Sequence, residues 1–141
     1  MKERLRFKIK NDIEELKKLN LSARTFLGTI DISSKTIYKV NLILEEMITN
    51  IIKYGFDDNK KHHIEVDINI TDEFIRIRII DDGIEFNSSI TSNPDTDLPL
   101  EKMRIGGLGI FLVKNFSNNN IKYRRHKKKN VLRIKIATLD E

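Results

Sequence analysis

The chain has 141 residues, 39% apolar and 33% charged, which suits one domain with a real core and excludes a disordered chain. It has no cysteine, which excludes disulfides, thiol catalysis and zinc fingers, and its three histidines argue against a histidine-ligated metal site. No apolar run reaches the ~20 residues of a membrane span, and the start MKERLRFKIK lacks the apolar core of a signal peptide, so no membrane association and a cytoplasmic location are expected.

Leu5, Phe7 and Ile9 alternate with polar residues, the period of a half-buried strand. Asn11 or Asp12 then caps a helix with Ile13, Leu16, Leu19, Ala23 and Phe26 at helical spacing, and Gly28 falls just past its end. Ser33 or Ser34 caps a second helix running to about Tyr54, with Ile37, Val40, Leu44, Ile48 and Ile51 as its apolar stripe. Two alternating runs follow, Ile64 to Ile70 and Phe74 to Ile79, joined as a hairpin through Thr71, Asp72 and Glu73. The pattern lapses from Asp82 to Ile105, a polar stretch holding both prolines and long enough to be functional. A helix over Gly106 to Phe116 comes next. Two last strands, Ile121 to Arg125 and Val131 to Ala137, are joined by a lysine-rich turn. Short turns between neighbouring strands predict an α+β fold: a two-layer sandwich with a mixed, mostly antiparallel sheet and three main helices on one face, in a single domain over residues 1–141.

Three places hold residues that could do chemistry. On the second helix, Glu46, Asn50 and Lys53 are spaced four and three apart and share a face, roughly opposite Leu44, Ile48 and Ile51. Such residues also populate ordinary solvated helix faces. The run Asp81-Asp82-Gly83 ends a strand, with Phe86 three residues on, and suits either a buried acceptor beside a tight turn or a plain Asp-Gly turn. In Ile105-Gly106-Gly107-Leu108-Gly109, three glycines open a helix, where free amides bind phosphate. A flexible hinge or close helix packing is the other reading of that cluster.

Together and in this order, these three stretches resemble the nucleotide-binding boxes of the histidine-kinase-like ATPase superfamily. EEMITNIIKYGF resembles the N box, IIDDGIEF the first glycine box and GGLGIFLVK the second. Within the superfamily the chain is most similar to the anti-sigma-factor serine/threonine kinases of the RsbW and SpoIIAB type, over roughly residues 35–137. The resemblance implies an ATP-binding sandwich of the Bergerat type. Glu46 would be the general base, Asn50 the Mg²⁺ ligand, and Lys53 a charge near the phosphates. Asp81 would accept from the adenine amino group, Gly83 would leave room for the ring, and Phe86 would close the first glycine box. Gly106, Gly107, Leu108 and Gly109 would meet the phosphates, and residues 82–105 would form a lid. Glu85 stands where many superfamily members have a second glycine, and Ile105-Gly106 replaces a Gly-Thr pair.

The function so implied is an ATP- and Mg²⁺-dependent protein serine/threonine kinase that regulates transcription. It would phosphorylate a STAS-domain anti-anti-sigma protein and sequester a sigma factor, and the resemblance allows a homodimer. The alternative is a non-catalytic, nucleotide-gated binder, which would have no need of Glu46. The net charge of +5 and the eight Lys or Arg between Lys122 and Lys135 allow a third reading, an acidic partner or a nucleic acid. Tyr123 is the only aromatic there, which argues against nucleic acid. Lys127 to Lys129 read most simply as a solvated turn.

Overall fold

Leu5, Phe7 and Ile9 lie in the first strand, β1 (Lys2–Lys10), of the computed structural model, which describes residues 2–85 and 108–139. Asp12, not Asn11, caps helix α1 (Ile13–Leu27): its side chain accepts from the Glu14 amide at 2.9 Å, while Glu14 and Glu15 suit the positive end of the helix dipole. Ser33 caps α2 (Ser34–Tyr54) in the same way, its Oγ accepting from the Thr36 amide at 3.1 Å. Strands β2 (His63–Thr71) and β3 (Phe74–Asp81) form the predicted hairpin. Helix α3 (Leu108–Phe116) lies within the predicted helix, and Gly106 and Gly107, where that prediction started, lie outside the described residues. Strands β4 (Ile121–His126) and β5 (Lys129–Ala137) close the chain around a turn of only Lys127 and Lys128.

The sheet order is β1-β2-β3-β5-β4, and every described pairing is antiparallel. Directly paired residues share a face. Register therefore places Leu5, Ile68, Ile77, Ile134 and Ile121 in one row, and Phe7, Val66, Ile79, Leu132 and Tyr123 in the next. These rows meet Leu16, Leu19 and Leu27 of α1, the α2 stripe and Val113 of α3 in one hydrophobic core. Fully burying each such side chain contributes ~1.5–3 kcal/mol, so this face holds the sandwich together. The predicted stripe of α2 is buried except for half-buried Ile37, and Ile43 and Met47 join it. Among the described residues no helix is long and apolar enough to cross a membrane.

Candidate functional site

The alternation Ile75, Ile77, Ile79 carries the core-facing phase of β3 forward to Asp81, which is 2% exposed. A carboxylate in an isoleucine phase needs donors. Asn130 supplies one: it pairs directly with Asp81 across the sheet, and its Nδ2 donates to Asp81 Oδ1 at 3.0 Å. The Gly83 amide donates to the same oxygen at 2.8 Å. Among the described residues no donor reaches Oδ2. Burial pushes the Asp81 carboxyl above its ordinary pKa, against the pull of the Asn130 and Gly83 bonds.

Asn130 is itself held on every side. Its Nδ2 also donates to the Ile84 carbonyl at 2.8 Å, and its Oδ1 accepts from the Tyr123 hydroxyl at 2.7 Å and from Arg125 at 3.0 Å. The same Arg125 nitrogen donates to the Gly83 carbonyl at 2.7 Å. The closing hairpin thus clamps the Asp81 turn. Sequence reasoning missed Asn130, Tyr123 and Arg125 because it started the last strand at Val131 and left residue 130 next to the turn. Strand β5 starts at Lys129, and Asn130 then falls in phase with Leu132, Ile134 and Ile136. A polar residue in an apolar phase was the available signal.

Helix α2 is tied to this turn at its end. The Ile84 amide donates to the Gly55 carbonyl at 2.7 Å. A Cβ on Gly83 would collide with that carbonyl oxygen and lie 2.8 Å from Asp81 Oδ1, so the close approach requires glycine there. A second tie runs through His62, which stacks on Phe56 with ring centroids 4.3 Å apart. Its Nε2 lies 2.7 Å from Asp58 Oδ1 and its Nδ1 lies 3.0 Å from Asp82 Oδ1. The Asp58 bond, with help from Asp82, raises the His62 pKa above its ordinary value.

Glu46 and Asn50 are half-buried and Lys53 is exposed. The expectation that they lie opposite the apolar stripe needs correction, because burial of Ile43 and Met47 widens the stripe toward them. At about 100° per residue, Asn50 falls about 20° beyond Ile43 and Glu46 about 60° beyond it. Both therefore flank the core, and only Lys53 has the character of a solvated position. Leu108 and Gly109 form the first turn of α3. Phe86, Gly106, Gly107 and residues 86–105 of the expected lid lie outside the described residues.

The sequence pattern of the histidine kinase-like ATPase domain matches residues 9–136. The chain belongs to the histidine kinase-like ATPase domain family. Relatives of this ATPase domain include a serine-protein kinase RsbW of Oceanobacillus iheyensis, 30% identical over 86 residues, or 58% of this chain and 54% of the relative. The serine-protein kinase RsbW of Listeria monocytogenes is 29% identical over 91 residues, covering 62% and 58%. The anti-sigma F factor of Bacillus subtilis is 19% identical over 103 residues, covering 70% and 68%. The match thus spans just over half the length of the RsbW relatives. The crystal structure of the RsbU and RsbW domains of a Mycobacterium tuberculosis protein superposes with a TM-score of 0.66 at 14% identity, over 98% of this chain and 33% of that one. That likeness shows the same α+β fold.

Proposed function

We propose that this ATPase domain is an ATP- and Mg²⁺-dependent protein serine/threonine kinase, acting in the cytoplasm as a regulator of transcription. Its substrate would be a STAS-domain anti-anti-sigma protein, and its second partner a sigma factor that it sequesters. The observation that carries the reading is Asp81. It is a buried carboxylate clamped through Oδ1 by Asn130 and Gly83, and among the described residues none donates to Oδ2, which would accept from the adenine amino group. Gly83 keeps the space beside it clear of a side chain, as a flat ring requires.

The residues fit the cofactors. Asn50 offers a neutral amide oxygen, a hard donor of the kind Mg²⁺ takes when phosphates and water complete its shell. When bound, ATP supplies the phosphoryl group and Mg²⁺ the charge that offsets it. Glu46, one helical turn from Asn50, would orient a serine or threonine hydroxyl and take its proton. Lys53 adds positive charge at the end of the same helix. Phosphoryl transfer needs positioning and charge neutralisation more than covalent chemistry, so these few groups suffice.

The test is incubation with labelled ATP, Mg²⁺ and a purified STAS-domain protein, alongside calorimetry of ATP binding. Glu46→Gln should bind ATP normally and transfer phosphate ~10²–10⁴-fold more slowly. Asn50→Ala should lose both binding and transfer. Wild-type protein that binds ATP yet phosphorylates no STAS protein would overturn the kinase reading in favour of a nucleotide-gated binder. Transfer at the wild-type rate by Glu46→Gln would remove Glu46 as the base.

A further inference from the structure

The outer face of the sheet, turned away from the core and from Asp81, carries a charge pattern with no part in the nucleotide reading. Register assigns Lys2, Arg4, Arg6, Lys8 and Lys10 of β1 to it. Arg76 and Arg78 of β3 and Lys129, Arg133 and Lys135 of β5 join them. Lys122 and Arg124 of β4 complete the set. Twelve of the 26 lysines and arginines therefore share one face with two acids, Glu65 and Asp67. The basic run seen from Lys122 to Lys135 is only one side of a patch that crosses all five strands. Among the described residues no element packs over it.

Fold stability does not account for this pattern. Arg78 sits directly opposite Arg133, Arg133 opposite Lys122, and Arg76 opposite Lys135. Like charges directly opposite one another weaken a sheet. The buried acid of this face shows what these guanidiniums take. Asp67 accepts from Arg4 Nε at 3.0 Å and Nη2 at 2.8 Å, a two-pronged grip, and from Arg78 Nη2 at 3.1 Å. Beside it a groove of about 550 Å³ runs between Arg4, Arg76, Arg133, Lys122 and Lys135. A second, of about 410 Å³, lies along Arg6, Lys8 and Arg78.

Size and shape narrow the occupant. Five strands at ~4.8 Å spacing and six to nine residues each at ~3.4 Å give roughly 700 Å², close to one partner's share of a standard protein interface. A small anion would fill one groove and leave most of the charge unused. Stacking of nucleic-acid bases is strongest on a free phenyl, phenol or indole ring, and among the described residues the face's one such ring, Phe74, is already covered by Lys135 Nζ at 3.7 Å and Arg76 Cζ at 5.6 Å from its centroid, leaving only the imidazoles of His63 and His126 at its ends. A second copy would set these cations against their like. We propose that the outer sheet face docks an acidic protein surface, whose carboxylates the arginines of β1, β3 and β5 grip as Arg4 grips Asp67. The inference stands whether or not the helix face binds ATP.

The test uses the full chain with fluorescent poly-L-glutamate, and a DNA oligonucleotide of matched charge for comparison. Poly-L-glutamate should bind, more weakly as salt is added, with amide shifts on β3 and β5. Arg133→Glu should lower that affinity about ten-fold or more. It should also raise the melting temperature, because it relieves repulsion from Arg78 and Lys122. A merely structural residue would not show the two changes together. Lys17→Glu with Lys18→Glu, on exposed α1, should leave binding unchanged. Failure of poly-L-glutamate to bind, tighter binding of the DNA through the same residues, or a dimer that Arg133→Glu dissociates would each overturn the proposal.

Discussion

Asp81→Asn should separate binding from folding. The carboxyl is 2% exposed and its pKa is raised chiefly by burial. A group whose folded pKa lies above its unfolded value costs stability as it ionises. That cost is absent below the unfolded pKa of about 3.9 and fully present once pH has risen past the folded value. Asparagine keeps an oxygen for the Asn130 and Gly83 donors, now at 3.0 and 2.8 Å, and carries no charge. At neutral pH the variant should therefore melt no lower than wild type, and the difference should vanish in acid. Its amide nitrogen, however, would replace Oδ2, an acceptor, with a donor. Losing a hydrogen bond to a charged group costs about 1.5–3 kcal/mol, so ATP affinity should fall about 10- to 150-fold. Calorimetry measures the affinity, and thermal melts from acid to neutral pH measure the fold. Unchanged ATP affinity in a folded variant would remove Asp81 from the site. A melting temperature well below wild type at neutral pH would show that the ionised carboxylate supports the fold and refute the linkage argument.

Gly83→Ala drives a methyl group into the Gly55 carbonyl. It should cost about 1–3 kcal/mol and speed hydrogen exchange at the Ile84 amide, whose bond to that carbonyl is 2.7 Å. The β4–β5 turn forces Lys127 and Lys128 to φ of 48° and 63°, a conformation that asparagine and glycine adopt at lower cost. Lys127→Asn with Lys128→Gly should raise stability by about 1 kcal/mol, read as a melting-temperature rise of about 2–6 °C. The raised His62 pKa and the lowered Asp58 pKa, each due first to their mutual hydrogen bond, define a pH window for that contact. It should be lost as pH rises through the His62 value and as pH falls through the Asp58 value. An NMR titration should place His62 above 6.5, and Asp58→Asn should lower it.

Much of the molecule was legible as periodicity. The alternation of Ile64 to Ile70 and of Phe74 to Ile79, and the stripe from Val40 to Ile51, are one-dimensional signals, because local backbone geometry alone converts spacing into a face. The caps at Asp12 and Ser33 were narrowed to two neighbouring candidates each, since a cap is a local hydrogen bond. Asp81 was singled out because an acid followed by a glycine at a strand end suits a buried acceptor as well as a plain turn, and the resemblance to the first glycine box favoured the acceptor. Its burial, its clamp through Asn130 and Arg125, and the approach of Gly83 to Gly55 were decided only by tertiary pairing. Those partners lie 49, 44 and 28 positions away in the chain, and a one-residue change of register would turn each strand side chain to the other face. The basic outer face has the same origin. Its cations come from four strands that share no local motif, and only the order β1-β2-β3-β5-β4, with its register, gathers them on one surface.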